Sequence, residues 1–157
     1  MQHSSELFVD APSSTVIDVL SDLSTYPSWN DLVANAEPLE ATDDDPGPVW
    51  RTTLTAKVGP FARSKQLRFV RDTLVTDHET GVTNIGFSRN ELDDRSHASW
   101  TMECSVRAAE KDGAEGSAVV LSLSYDGGLW IPSLGSVLDS AIERATRRLP
   151  AYVKELR

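Results

Sequence analysis

Residues 133–156, SLGSVLDSAIERATRRLPAYVKEL, decide the fold. Leu134, Val137, Leu138, Ala141, Ile142, Ala145, Leu149, Tyr152, Val153 and Leu156 recur at steps of three and four, which puts them on one stripe of a helix. Ser140, Glu143, Arg144, Arg147, Arg148 and Lys154 fall largely between them, so the opposite face is solvated and the helix must lie against a partner. Pro132 and Ser133 stand before the first apolar position, and the Ser133 hydroxyl is placed to cap the helix. Lys154 and Arg157 suit the negative pole at its far end. Pro150 removes one hydrogen bond inside the pattern and predicts a kink or a break. The stripe resumes in phase at Tyr152, which favours a bend over an end.

The partner lies in the middle of the chain, where the apolar period changes to two. Trp50, Thr52, Leu54, Ala56 and Val58 alternate with polar residues, and Gly59-Pro60 then marks a hairpin. Leu67 and Phe69 share a face of the next strand, which continues toward Val75. After the turn at Asp77 to Gly81, the segment Val82 to Glu91 carries Ile85 and Phe87 on one face. Trp100, Met102, Cys104 and Val106 define a further strand, the turn at Lys111 to Gly116 follows, and Val119, Leu121, Leu123 and Tyr125 define the last. Gly127-Gly128 releases the chain into the helix.

Upstream, Ser4 to Val9 reads as a first strand and Ser13 to about Leu23 as a modest helix, with Pro12 in its first turn. Pro27 forces a second short helix or turn over Thr25 to Asn30, and Ala34 to Ala41 is a weak acidic strand. The run Asp43-Asp44-Asp45 lacks the ligand spacing of a calcium loop and reads as a solvated acidic turn. The order is strand, two short helices, about six antiparallel strands and a long helix. It predicts an α+β fold in one domain over 1–157.

Bulk properties narrow the function classes. The 157 residues carry 15 Lys plus Arg against 24 Asp plus Glu, a net charge of −9, which disfavours nucleic acid and anionic surfaces at long range. The basic group Arg63, Lys65, Arg68 and Arg71 reads as the wet face of a strand. A single cysteine, Cys104, precludes an internal disulfide and fits a reducing compartment. The first residues carry no secretory pattern and no run is long enough to span a bilayer, so a cytoplasmic monomer or homodimer without integral membrane association is expected. His3, His78 and His97 stand apart, without zinc spacing, and there is no nucleophile elbow, phosphate loop or dinucleotide fingerprint. No metal and no cofactor are expected. Cys104, among core-facing positions, reads as an inert thiol.

Several strings resemble the START-like superfamily, the polyketide cyclase/dehydrase and lipid-transport group also labelled SRPBCC. They are Val9-Asp10-Ala11-Pro12 with the helix after it, Tyr26-Pro27-Ser28-Trp29-Asn30, Val58 to Lys65, and the terminal amphipathic helix. The resemblance covers essentially the whole chain. It implies the helix-grip fold, a curved antiparallel sheet of about seven strands wrapped on the C-terminal helix with two short N-terminal helices. It also implies a cavity between sheet and helix that holds a lipid or polyketide-like molecule. Two activities follow from it: binding or carrying such a molecule, or acting on it as a polyketide cyclase, aromatase or dehydratase.

On that frame the candidate ligand-binding residues are Trp29, Trp50, Leu54, Phe69, Phe87, Trp100, Met102, Leu123 and Tyr125, with Leu138, Ala141, Ile142 and Ala145 from the helix. Leu67, Leu121 and Val137 share the inward faces. Each is equally a core residue if the gap is filled. Arg89 and Glu91 continue an otherwise apolar strand face, so they mark either a polar spot in the cavity or a strand end that has reached water.

Overall fold

A computed structural model describes residues 1–128 and 133–156. Seven strands form one antiparallel sheet: β1 (Gln2–Val9), β2 (Val33–Leu39), β3 (Val49–Val58), β4 (Phe61–Thr76), β5 (Thr83–Arg89), β6 (Ser99–Lys111) and β7 (Ala114–Asp126). Between β1 and β2 lie α1 (Ser13–Leu20) and a 3₁₀ segment, Leu23–Ser28, and the chain ends on α2 (Leu134–Glu155). The strand order is β1-β7-β6-β5-β4-β3-β2, so β2 through β7 form a meander and β1 returns to its far edge. The α1 and 3₁₀ region makes that crossing. Pro38 sits on the edge strand β2, where a residue without an amide proton breaks no central ladder.

The sheet is a grip because of what α2 touches. It contacts β1, β7 and β3, strands that stand at opposite sides of the order. At about 4.8 Å per strand a flat sheet would separate β1 from β3 by roughly 24 Å. A helix is only about 10–12 Å across, so the sheet has to curl around it. Leu134, Leu138, Ala141, Ile142, Ala145, Leu149 and Val153 are the buried stripe of α2, and the helix runs unbroken through Pro150. That decides between the two outcomes expected at this proline: the helix does not end there.

Several boundaries move. The Ser133 hydroxyl makes no capping bond, and the observed side-chain cap belongs to the 3₁₀ segment, where Asp22 accepts from the Ser24 amide at 3.0 Å. The first helix stops at Leu20, because Leu23 already belongs to that 3₁₀ segment, which accommodates Pro27 inside it. Strand β5 ends at Arg89, which leaves Glu91 beyond the ladder. A bulge between Arg71 and Thr73 shifts the register of β4 against β5. Pro132 and Arg157, which entered the sequence reading, lie outside the described residues.

Candidate functional site

Register places the inward residues. Trp50 pairs with Phe69 and Phe69 with Arg89, while Phe87, Met102 and Leu123 form a second row across β5, β6 and β7. Every apolar candidate from the sequence is buried, including Leu54, Trp100, Tyr125 and Leu138. They are not all in one place. Trp29, Met102, Leu123, Ala141, Ile142 and Ala145 meet around one internal space of about 30 Å³ between the sheet and α2. That is room for one or two water molecules and far below the roughly 300 Å³ at which ligand pockets begin.

The aromatic candidates are held by one another and by Tyr26, which the sequence list omits. The Tyr26 ring stands 4.4 Å from that of Trp29 and 5.7 Å from Phe87, and Trp50 is 5.5 Å from Phe87. Such pairs add packing energy beyond their buried area. Their polar tips are spent locally: the Trp50 indole donates to Ser24 Oγ at 3.1 Å, the Trp29 indole to Thr25 Oγ1 at 3.3 Å, and the Tyr26 hydroxyl to the Leu20 carbonyl at 2.9 Å. This cluster fastens the 3₁₀ segment to the sheet. Burial and the neighbouring Cys104 raise the Tyr26 phenol well above its usual range, and burial pushes the Cys104 thiol up to about 12. Both groups are therefore neutral at physiological pH, and neither is activated as a nucleophile or base.

Larger open space lies alongside. A groove of about 600 Å³ runs between α2 and the end of β3 that extends past β2. Leu32, Ala56, Val137 and Ala141 supply its apolar surface, and Asp31, Lys57, Ser136, Ser140 and Arg144 its polar rim. Leu32 and Ala141 also line the internal space, so they form the partition between the two. Asp31 anchors the rim: it accepts from Arg144 Nε at 2.7 Å and from Arg148, which also donates to the Ser28 carbonyl at 2.9 Å. Of the groove lining, the sequence reading reached only Val137 and Ala141. A signal for more was there, because Ser133, Ser136, Ser140 and Arg144 follow each other at steps of three and four along one border of the apolar stripe.

Arg89 and Glu91 stand together at the end of β5. Arg89 Nε donates to Glu91 Oε1 at 3.0 Å and its guanidinium reaches the Ala98 carbonyl at 3.3 Å, while the same Glu91 oxygen accepts the Arg68 amide at 3.0 Å. Arg68 in turn reaches the Asn90 carbonyl at 3.0 Å and Asp45 at 2.6 Å, and that bond holds the Asp45 carboxyl down to about 2. The acidic loop is thus tied to the sheet by one of its three aspartates. The basic group from the sequence divides: Arg68 enters this network, Arg71 donates to the Ser21 carbonyl at 2.9 Å, and Arg63 stays exposed. Among the described residues no group of three or more His, Cys, Asp or Glu side chains could hold a metal ion, and no helix is long and apolar enough to cross a membrane.

Comparison with solved structures recovers the same architecture. Human StAR-related lipid transfer protein 5 matches with a TM-score of 0.71 at 15% identity, over 99% of this chain and 76% of that one. TTHA0849 from Thermus thermophilus matches with a TM-score of 0.60 at 18% identity, over 99% of both chains. At such identities the likeness is one of fold. No curated protein matches the sequence. The sequence profile described as polyketide cyclase / dehydrase and lipid transport matches residues 2–154, nearly the whole chain, and the protein belongs to that family.

Proposed function

We propose that this protein binds and carries a hydrophobic small molecule, which enters by the groove beside α2 and lodges its apolar part between α2 and the sheet. The observation that carries the reading is the shared partition: Leu32 and Ala141 line both the 600 Å³ groove and the small space behind it. Ala141 and Ala145 are the small residues of the buried stripe, so a modest shift of α2 away from the sheet enlarges that space without breaking a backbone hydrogen bond within the helix. Family membership supports the same class of ligand. Cyclase or dehydratase chemistry in the same place is the second activity the family allows. The carrier reading is preferred because the ionisable groups of the interior are either neutral, as Tyr26 and Cys104 are, or already paired, as Arg89 and Glu91 are.

The test is to fill the partition. Ala141→Leu adds three carbons where groove and interior meet, at a position where overpacking costs about 1–3 kcal/mol. Titration with a fluorescent hydrophobic dye such as 1-anilinonaphthalene-8-sulfonate is expected to show saturable binding to the parent chain and a loss of about tenfold or more in the variant, equal to about 1.4 kcal/mol. Unchanged affinity in a variant with an unchanged circular dichroism spectrum would place the ligand elsewhere.

A further inference from the structure

The hairpin between β3 and β4 stands out from the sheet. Beyond Leu54, β3 has no register partner on β2, and β4 meets β5 only from Phe69 onward. Residues 55–66 are therefore a two-stranded ribbon with no further strand on either side among the described residues. The ribbon closes through Gly59-Pro60 between the paired Val58 and Phe61, and Gly59 takes a φ of 60°, which a side chain would disfavour. Every residue from Gly59 to Ser64 is exposed. Phe61, at 74%, is the most exposed large apolar residue among those described. A lone exposed apolar side chain is ordinary. This one stands at the tip of a projecting ribbon, with Pro60 and Ala62 exposed on either side of it.

The tip is also locally basic. No Asp or Glu occurs between Pro46 and Arg71, in a protein whose net charge is −9. Lys57 and Arg63 are exposed and make no salt bridge among the described residues. The acidic loop at 43–45 precedes the other end of β3, roughly 30 Å from the tip along the strand, several times the screening length of about 8 Å at physiological salt. Asp31, on the groove beside Lys57, is already shared by Arg144 and Arg148. Lys57 pairs with Ala62, while Arg63 alternates with it on β4 and so shares the other face with Phe61. The two cations therefore flank the ribbon on opposite faces. They do not converge on one small ligand, and they suit a planar charged surface met end-on.

We infer that the β3–β4 hairpin docks this protein on an anionic lipid bilayer, with Phe61 entering the acyl boundary and Lys57 and Arg63 level with the headgroups. The spacing fits: these cations lie one and two residues behind the tip pair, about 3–7 Å, and interfacial apolar groups reach about 5–10 Å into that boundary. A two-residue turn with its flanking pairs offers far less than the roughly 800 Å² per partner that a stable protein interface needs. One aromatic and two cations give weak, reversible attachment, which is peripheral and not integral. The stem of the ribbon, Thr55, Ala56 and Lys57, lines the groove beside α2, so docking sets the groove mouth close to the membrane. The docking goes beyond the carrier reading and does not depend on it.

The test is cosedimentation of the full chain with vesicles of phosphatidylcholine alone and with about 30% phosphatidylglycerol, a fraction that gives a strongly anionic surface. The parent is expected to partition onto the anionic vesicles at least about tenfold more strongly than onto the neutral ones, and to be released on raising salt from about 50 mM to about 500 mM. Phe61→Ser removes the apolar tip and is expected to weaken partitioning about tenfold. The Lys57→Gln, Arg63→Gln double variant is expected to weaken it about tenfold or more, at about fivefold per cation. Leu92→Ser, a change at an equally exposed apolar residue beside Asp93 and Asp94, is the control and is expected to have no effect. Phe61 is not part of the groove lining, so Phe61→Ser is also expected to keep the parent's affinity for the fluorescent dye. A parent that fails to sediment with anionic vesicles, or that binds neutral ones equally well, would overturn the docking and leave the carrier reading to the dye titration. Vesicle binding that either hairpin variant leaves intact would refute the assignment to this ribbon.

Discussion

Arg89 is held by Glu91 and by the Ala98 carbonyl, and that determines what its loss does. Its side chain is 7% exposed and that of Glu91 20%, and Glu91 also accepts the Arg68 amide, so the pair joins the end of β5 to β4. Deleting one member leaves the other partly covered and uncompensated, at a cost of about 1–3 kcal/mol. Arg89→Ala is therefore expected to lower Tm by several degrees in a thermal melt, at about 2–4 °C per kcal/mol for a chain of this size. A melt unchanged from the parent, combined with lost ligand affinity, would instead make Arg89 a ligand contact. The sequence showed charges on an apolar face but offered two explanations for them. What it could not show is that β5 stops at Arg89 and that Asp45, more than twenty residues away, anchors the neighbouring Arg68. Burial of an ion pair depends on which loops fold back over a strand end, and no local pattern encodes that.

Among the elements, α2 was the most legible and its proline the least. Ten apolar positions at helical spacing left little freedom for the helix, and the seven buried ones all belong to that set. Pro150 lies between the buried Leu149 and Val153, where the stripe continues to pack although one amide cannot donate to the Thr146 carbonyl. Tertiary packing outweighs the local penalty here, as it does in most helices of folded proteins. Pro150→Ala is expected to raise stability, by at most about 3 kcal/mol, in chemical denaturation. A less stable variant would show that the proline shapes how Val153 meets the sheet. The short elements were harder. Asp22 and Pro27 turn the chain through a 3₁₀ segment that periodicity read as the tail of one helix and the start of another, because six residues, about two 3₁₀ turns, are too few to establish a period.

For the whole molecule, the order of strands and helices was legible because β3, β6 and β7 alternate cleanly and the turns between strands carry their own Gly, Pro and Asp residues. The distribution of empty space was not. Inward-facing apolar residues are the same whether they pack against each other or around a guest, and only distances separate Trp29 and Trp50, locked around Tyr26 and Phe87, from Ala141 at the partition. The account therefore rests on where a guest sits. Methyl-resolved NMR of the isotopically labelled chain during titration with decanoate measures this directly. It is expected to show saturable shifts at Leu32, Val137, Ala141, Ile142 and Ala145, the methyls on either side of the partition, with Val75 near the end of β4 and Val82 just before β5 unmoved. Saturable binding that moves Val75 and Val82 and leaves Ala141 and Ile142 unshifted would contradict it.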